Sequence, residues 1–248
     1  MIGALQAEWI KLRSVRANII LIVIALAIPV VLTFLIAAIA PFGGTTLDRE
    51  VFGVAIITPA VVAAYLCGVL GVLGIGQEYR HNTIRVTLAA QPNRSIVLAA
   101  KTIVYGLFGL AIGVLALALS FATGAICLAA RDIPFEVTFP PMIGAVLLCV
   151  LLTLFGFGLG AIMRQPAGAI PVFLIWPLII EGIVGLILQS IDESLVRWLP
   201  FRAGQELANF TEAVDTEVFG RVVSGLYFAG WTAAIVAVGW WLAERRDA

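Results

Sequence analysis

The chain has 248 residues, of which 62% are hydrophobic and 12% charged, and its fifteen basic and fifteen acidic side chains cancel to no net charge. Globular domains average about 45–50% apolar and about 25% charged residues, so a mean hydropathy of +1.09 leaves too little polar surface for a soluble exterior. Disorder is excluded, as is a nucleic-acid binder, which needs a basic surplus; the composition asks for a bilayer as solvent.

Six long apolar runs, residues 17–40, 52–76, 102–130, 137–163, 165–191 and 222–243, alternate with short charged segments. Each exceeds the roughly 20 residues a helix needs to cross, and Glu181 is the only charge inside any of them. Six crossings put both termini on one side. With the N-terminus inside, ten basic residues lie inside (Lys11, Arg13, Arg16, Arg80, Arg85, Arg94, Lys101, Arg164, Arg245, Arg246) and five outside (Arg49, Arg131, Arg197, Arg202, Arg221). The positive-inside rule therefore predicts N-in and C-in. The expected fold class is an all-α polytopic membrane protein, one domain over residues 1–248. Neither the longest inner segment, 77–101, nor the longest outer one, 192–221, is large enough to fold alone.

In chain order, residues 4–16 place Leu5, Trp9 and Leu12 on one helical stripe, with Glu8, Lys11 and Arg13 around it. This predicts a helix lying in the headgroup plane and ending near Arg16, serving either as a basic anchor or as a lever on the first span. The first run is too long for a signal h-region and is expected to be a retained helix. In the inner loop, Asn82 suits a left-handed turn, Thr83 an N-cap, and Pro92 a stop. Ile84 and Leu88 share a face, flanked by Arg80, Arg85 and Arg94. Such a helix suits a groove on another protein, or a basic loop held by lipid headgroups. Ser95 is expected to cap the next helix and Lys101 to snorkel at the membrane edge.

Gly109 and Gly113, and Gly156 and Gly160, permit close helix packing, expected within the subunit. Gly68, Gly71, Gly74 and Gly76 in the second run suit a hinge or tight packing equally well. Glu181 in the fifth run must face protein or water. It is either a contact in a substrate pathway, with Tyr65 and Thr58 as companions, or an interhelical hydrogen bond to Tyr65 or Thr58. Leu195, Trp198 and Leu199 form a stripe before the helix breaker Pro200, and residues 202–210 suit another helix, giving an external helical hairpin. Asn209-Phe210-Thr211 forms a glycosylation sequon to which no role is attached.

Catalytic constellations are missing from the sequence. Neither lysine, Lys11 nor Lys101, follows a glycine as a phosphate-binding loop requires. The three cysteines, Cys67, Cys127 and Cys149, have no paired spacing, and His81 is the only histidine. No catalytic residue, resident cofactor or metal site is expected.

Three motifs in order carry a family resemblance: Glu8-x-x-Lys11-x-x-Ser14-x-Arg16; Glu78-Tyr79-Arg80-x-Asn82-Thr83-Ile84-Arg85-x-Thr87-Leu88 ahead of Pro92-x-Arg94 and Lys101; and Trp198-Leu199-Pro200-Phe201. On a six-span frame they resemble the membrane subunit of type-2 ATP-binding-cassette (ABC) exporters. The resemblance implies that Glu78, Arg80, Thr83, Ile84, Arg85, Leu88 and Arg94 belong to a coupling helix docking on a separate ATPase, which alone binds Mg-ATP. It further implies two permease chains, expected to be identical, two ATPase copies, membrane lipids as partners, and a hairpin that lids the exit. The expected function is export of an amphipathic or hydrophobic substrate (a drug, peptide or lipid) across a bacterial-type plasma membrane. The alternative is an ion-coupled secondary transporter or channel acting without an ATPase, which would call for paired intramembrane acids or inverted repeats.

Overall fold

The structure, a computed structural model of the chain, describes residues 2–40, 48–210 and 220–245. Among the described residues, six helices are long and apolar enough to cross a membrane. Thr211, Arg246 and Asp247, on which the sequon and part of the charge count rest, lie outside the described residues, as does the side chain of Arg49.

Helix α1 (Ile2–Ser14) is separated from the first span, α2 (Arg16–Ile39), by one extended residue, Val15, at φ −80° and ψ 118°. The second span, α3 (Glu50–Arg80), opens with a π-helical turn at Gly53–Ile57. There Thr58 Oγ1 donates to the Gly53 carbonyl oxygen at 3.2 Å. After the turn at His81 and Asn82 come the short helix α4 (Thr83–Ala90) and the third span, α5 (Arg94–Ala129). The fourth is α6 (Phe139–Met163); the fifth is α7 (Pro166–Gln189), interrupted by a second π turn at Trp176–Ile180. Helical turns at Glu193–Trp198 and Glu206–Ala208 flank a one-and-a-half-turn helix, α8 (Pro200–Gln205), before the last span, α9 (Arg221–Arg245).

The third span begins eight residues before the expected Thr102. At 1.5 Å per residue its 36 residues extend about 54 Å against a hydrocarbon core of about 30 Å. Its first turns therefore stand outside the apolar layer, on the face that carries both termini. The charges Arg94 and Lys101 broke the apolar pattern without breaking the helix. Asn93, not Ser95, caps it, accepting from the Ile96 N–H at 3.2 Å.

Helix α3 is the hub. Glycines on it and on α6 bring the two backbones together: a side chain at Gly71 or Gly156 would run into the other helix's backbone. Gly68 makes room for Phe173, Gly74 for Tyr105 and Gly76 for Pro166, so this glycine run is packing surface rather than a hinge. Gly109 and Gly113 of α5 likewise seat against Cys149 and Thr153 of α6, inside the subunit as expected. By contrast α2 and α7 bury little and turn most of their apolar surface outward.

Candidate functional site

Two polar assemblies stand out against this apolar frame. The first sits on the terminal face, where α1, α3, α4 and α5 meet. Lys101, fully buried, donates to Glu8 Oε2 at 2.6 Å and Glu78 Oε1 at 2.7 Å. Lys11 donates to Glu8 Oε1 at 2.8 Å, Glu78 Oε1 at 2.7 Å and Thr87 Oγ1 at 3.1 Å. Two acids and two ammonium groups neutralise one another, which is the condition for keeping charge out of water. Burial alone would lower the pKa of Lys11, but Glu78 and Glu8 outweigh it and raise the pKa above the ordinary lysine value. A raised lysine contributes its stability fully at neutral pH and loses it only as pH climbs through that higher value. Among the described residues Glu78 Oε2 is buried without a partner.

This arrangement corrects three expectations. Lys101 does not snorkel, because two carboxylates lie within hydrogen-bond reach inside the protein. Glu8 is on the buried face of α1 with Leu12, while Trp9 points outward at 45% exposure. The buried stripe thus runs Leu5, Glu8, Leu12, a rotation that the cluster's charges make tolerable. Arg16 is exposed at the start of α2.

The cluster holds α4 in place through Thr87. Asn82 takes the left-handed conformation (φ 56°, ψ 15°) that reverses the chain after α3. Thr83 is not the cap but the first helical residue, its hydroxyl donating to the Glu78 carbonyl oxygen at 3.5 Å. Ile84 is buried against the subunit and Leu88 is half-buried, so the expected apolar ridge anchors the helix instead of facing a partner. Arg85, Val86, Ala89 and Ala90 form the outer surface, with Val86 at 72% exposure. Arg80 is exposed at the end of α3. Arg94 instead caps the last span, Nη1 donating to the carbonyl oxygens of Ala243 and Glu244, both at 3.1 Å, while Ser95 Oγ donates to Glu244 Oε1 at 2.6 Å. A cation at a helix C-terminus satisfies carbonyls that have no partner within the helix.

The second assembly lies in the opposite half. Glu181 is buried, and its two oxygens accept the N–H groups of Phe201 and Arg202, each at 3.0 Å. These are the free donors of the first turn of α8, whose cap residue Leu199 has no side-chain acceptor to offer. Glu181 lies eight residues below the end of α7, so the hairpin dips about 12 Å beneath it. Phe201 fills a pocket of Phe155, Phe173 and Phe228, at ring distances of 5.0, 6.3 and 5.4 Å. Gln205 Nε2 donates to Tyr65 Oη at 2.7 Å, and Tyr227 Oη to the Trp198 carbonyl oxygen at 2.9 Å. The expected helix over 202–210 is the shorter Pro200–Gln205 with a turn after it, since Pro200 is well placed at a first helical position. Of the three pathway candidates, Glu181 and Tyr65 both hold this re-entrant segment, by separate bonds. Thr58 is apart, its hydroxyl on its own helix.

Residues 4–191 match the family model described as ABC-2 family transporter protein. The chain belongs to the ABC-2 transporter family. No curated protein matches it. Membership makes it an ABC permease subunit and implies association with an ABC ATPase. The matched stretch holds the first five spans, the charge cluster and α4; the re-entrant hairpin and last span follow it.

Sequence reasoning did not assemble the cluster, and it missed Thr87 and Asn93. One signal was present: the chain has only two lysines among fifteen basic residues, and both are in the cluster. Lysine's compact ammonium carries three donors, enough to reach both carboxylates from one side chain.

Proposed function

We propose that this permease is half of an exporter of the plasma membrane, of bacterial type, working as two identical chains with two ATPase copies that bind Mg-ATP. The orientation is N-in and C-in, so α4 is the cytoplasmic coupling helix. The observation that carries this reading is the mounting of α4. Ile84 fixes it below and Thr87 ties it to a buried cluster that also grips α1, α3 and α5. A push on Arg85 and Val86 therefore reaches three membrane-embedded or interfacial helices at once. The ATPase favours one arrangement of the permease by binding it better than the other. The outward apolar surfaces of α2 and α7 suit the second chain. Walls this apolar suit an amphipathic drug, peptide or lipid.

The test is co-expression with the ATPase and measurement of transport-coupled ATP hydrolysis in liposomes. Val86→Asp, on the exposed face, is expected to abolish stimulation while the chain inserts and keeps its melting temperature. Arg94→Glu is a poor probe, because Arg94 caps α9 and its loss perturbs packing. A chain that purifies without any ATPase and catalyses flux without ATP would sink the reading in favour of ion-coupled transport.

A further inference from the structure

The second assembly has a chemical asymmetry that packing alone does not require: among the described residues, the groups that meet the Glu181 carboxylate are donors. Oε1 accepts from the Phe201 N–H and Oε2 from the Arg202 N–H, each at 3.0 Å. The π turn adds a third. Glu181 N–H bonds to the Trp176 carbonyl oxygen five residues back, which brings the Trp176 indole N–H within reach of the carboxylate. Neither a backbone nor an indole N–H can accept. The Tyr65 hydroxyl, which could, is already taken up by Gln205 Nε2 at 2.7 Å.

A site made of donors is complementary to a carboxylate and not to a carboxylic acid, whose hydroxyl must itself find an acceptor. Protonation therefore costs at least one of the two N–H bonds that hold the first turn of α8. The charged and titratable neighbours are Arg202 of α8, whose Nη2 lies beside Gly185 one turn past Glu181, and Tyr65 of α3. The turn at Glu193–Trp198 presents Val196 to this face of α7, and α6 and α9 present the rings of Phe155 and Phe228 to Phe201. Burial favours the neutral acid; the donors and Arg202 favour the ionised one. Two opposed influences leave the balance to proton activity. We propose that Glu181 is a proton-operated latch: ionised, it holds Pro200–Gln205 in the re-entrant position, and protonation from the side opposite the termini releases that segment. The linkage has one sign, hold at higher pH and release as pH falls.

The test reads maleimide reaction of Ala203→Cys in the full chain, reconstituted in nanodiscs, from about pH 8 to about pH 5. Each rate is divided by that of Ala130→Cys, an exposed position, to remove the pH dependence of the thiol itself. Cys127, which is less buried than Cys67 and Cys149, is replaced by serine throughout. The ratio is expected to rise roughly fivefold as pH falls, the size of one lost hydrogen bond, and to return on going back to the higher pH. Glu181→Gln, which keeps one acceptor and cannot ionise, is expected to show the raised ratio at every pH. A cysteine at Ala116, fully buried on α5, should stay slow throughout, which separates release of the segment from general loosening in acid. Should Glu181→Gln fail to fold, the reversible rise in the parent with an unreactive Ala116→Cys carries the test. A parent ratio that stays flat, a Glu181→Gln chain that still titrates or reacts as slowly as the parent at higher pH, or equal acceleration at position 116 would each overturn the proposal.

Discussion

The two polar assemblies solve one problem in different ways. On the face that carries both termini, Glu8 and Glu78 are neutralised by Lys11 and Lys101, four side chains drawn from three helices and tied to a fourth by Thr87. In the opposite half, Glu181 meets no cation within hydrogen-bond distance among the described residues; two backbone N–H groups of a single helical turn receive it. A closed set of charges resists piecemeal change, because removing one member strands another in a dry site. A carboxylate on a helix N-terminus is held by a few short hydrogen bonds, and one short segment can leave it. The first assembly thus ties several helices into one unit. The second holds one short segment that fewer bonds secure.

Breaking the inner assembly is expected to have the largest effect. Lys101→Met leaves two buried acids facing one half-exposed lysine, at a cost of about 3–5 kcal/mol. A sharp fall in melting temperature and protease cleavage near Val15, where α1 joins α2, are expected. Adding Glu8→Gln should recover part of the loss; a double variant no more stable than the single one would mean the residues do not act as a unit. Next comes Glu181→Leu, which strands two N–H groups and costs about 1.5–3 kcal/mol, confined to the hairpin. A cysteine placed at the buried Ala203 should then react with a maleimide at least tenfold faster. The same cysteine in a Lys101→Met background should react at its parent rate if the chain folds, and equal acceleration would collapse the distinction between the two sites. The smallest effect is expected for Tyr65→Phe, which removes only the acceptor of Gln205 and costs about 0.5–1.5 kcal/mol. Maleimide kinetics at position 203 resolve it.

How much of this was legible depended on the range of the interaction. Spans follow from the uninterrupted apolar runs, and the turn at Asn82 with a helix after it follows from adjacent residues. The glycine pairs signalled close packing, although which helix met which was not in the pattern. Lys101 shows where local signals stop: its partners lie 93 and 23 residues away, and a lysine beside an apolar run ordinarily snorkels. Ile84 and Leu88 were correctly paired on one face, but periodicity alone does not say whether that face turns inward or toward a partner. Arg94 had no local mark of its role, since the carbonyls it caps belong to the far end of the chain.

The capping of α8 by Glu181 also bears on how the protein is made. Glu181 precedes Phe201 by twenty residues, so it leaves the ribosome before its two N–H donors do. A lone acid at mid-helix weakens insertion by roughly 2.5–3.5 kcal/mol, which the apolar residues around it must outweigh until the hairpin arrives. Biogenesis therefore passes through a stage in which span five is seated but incomplete, and emergence of Pro200–Gln205 from the ribosome is the event that completes it.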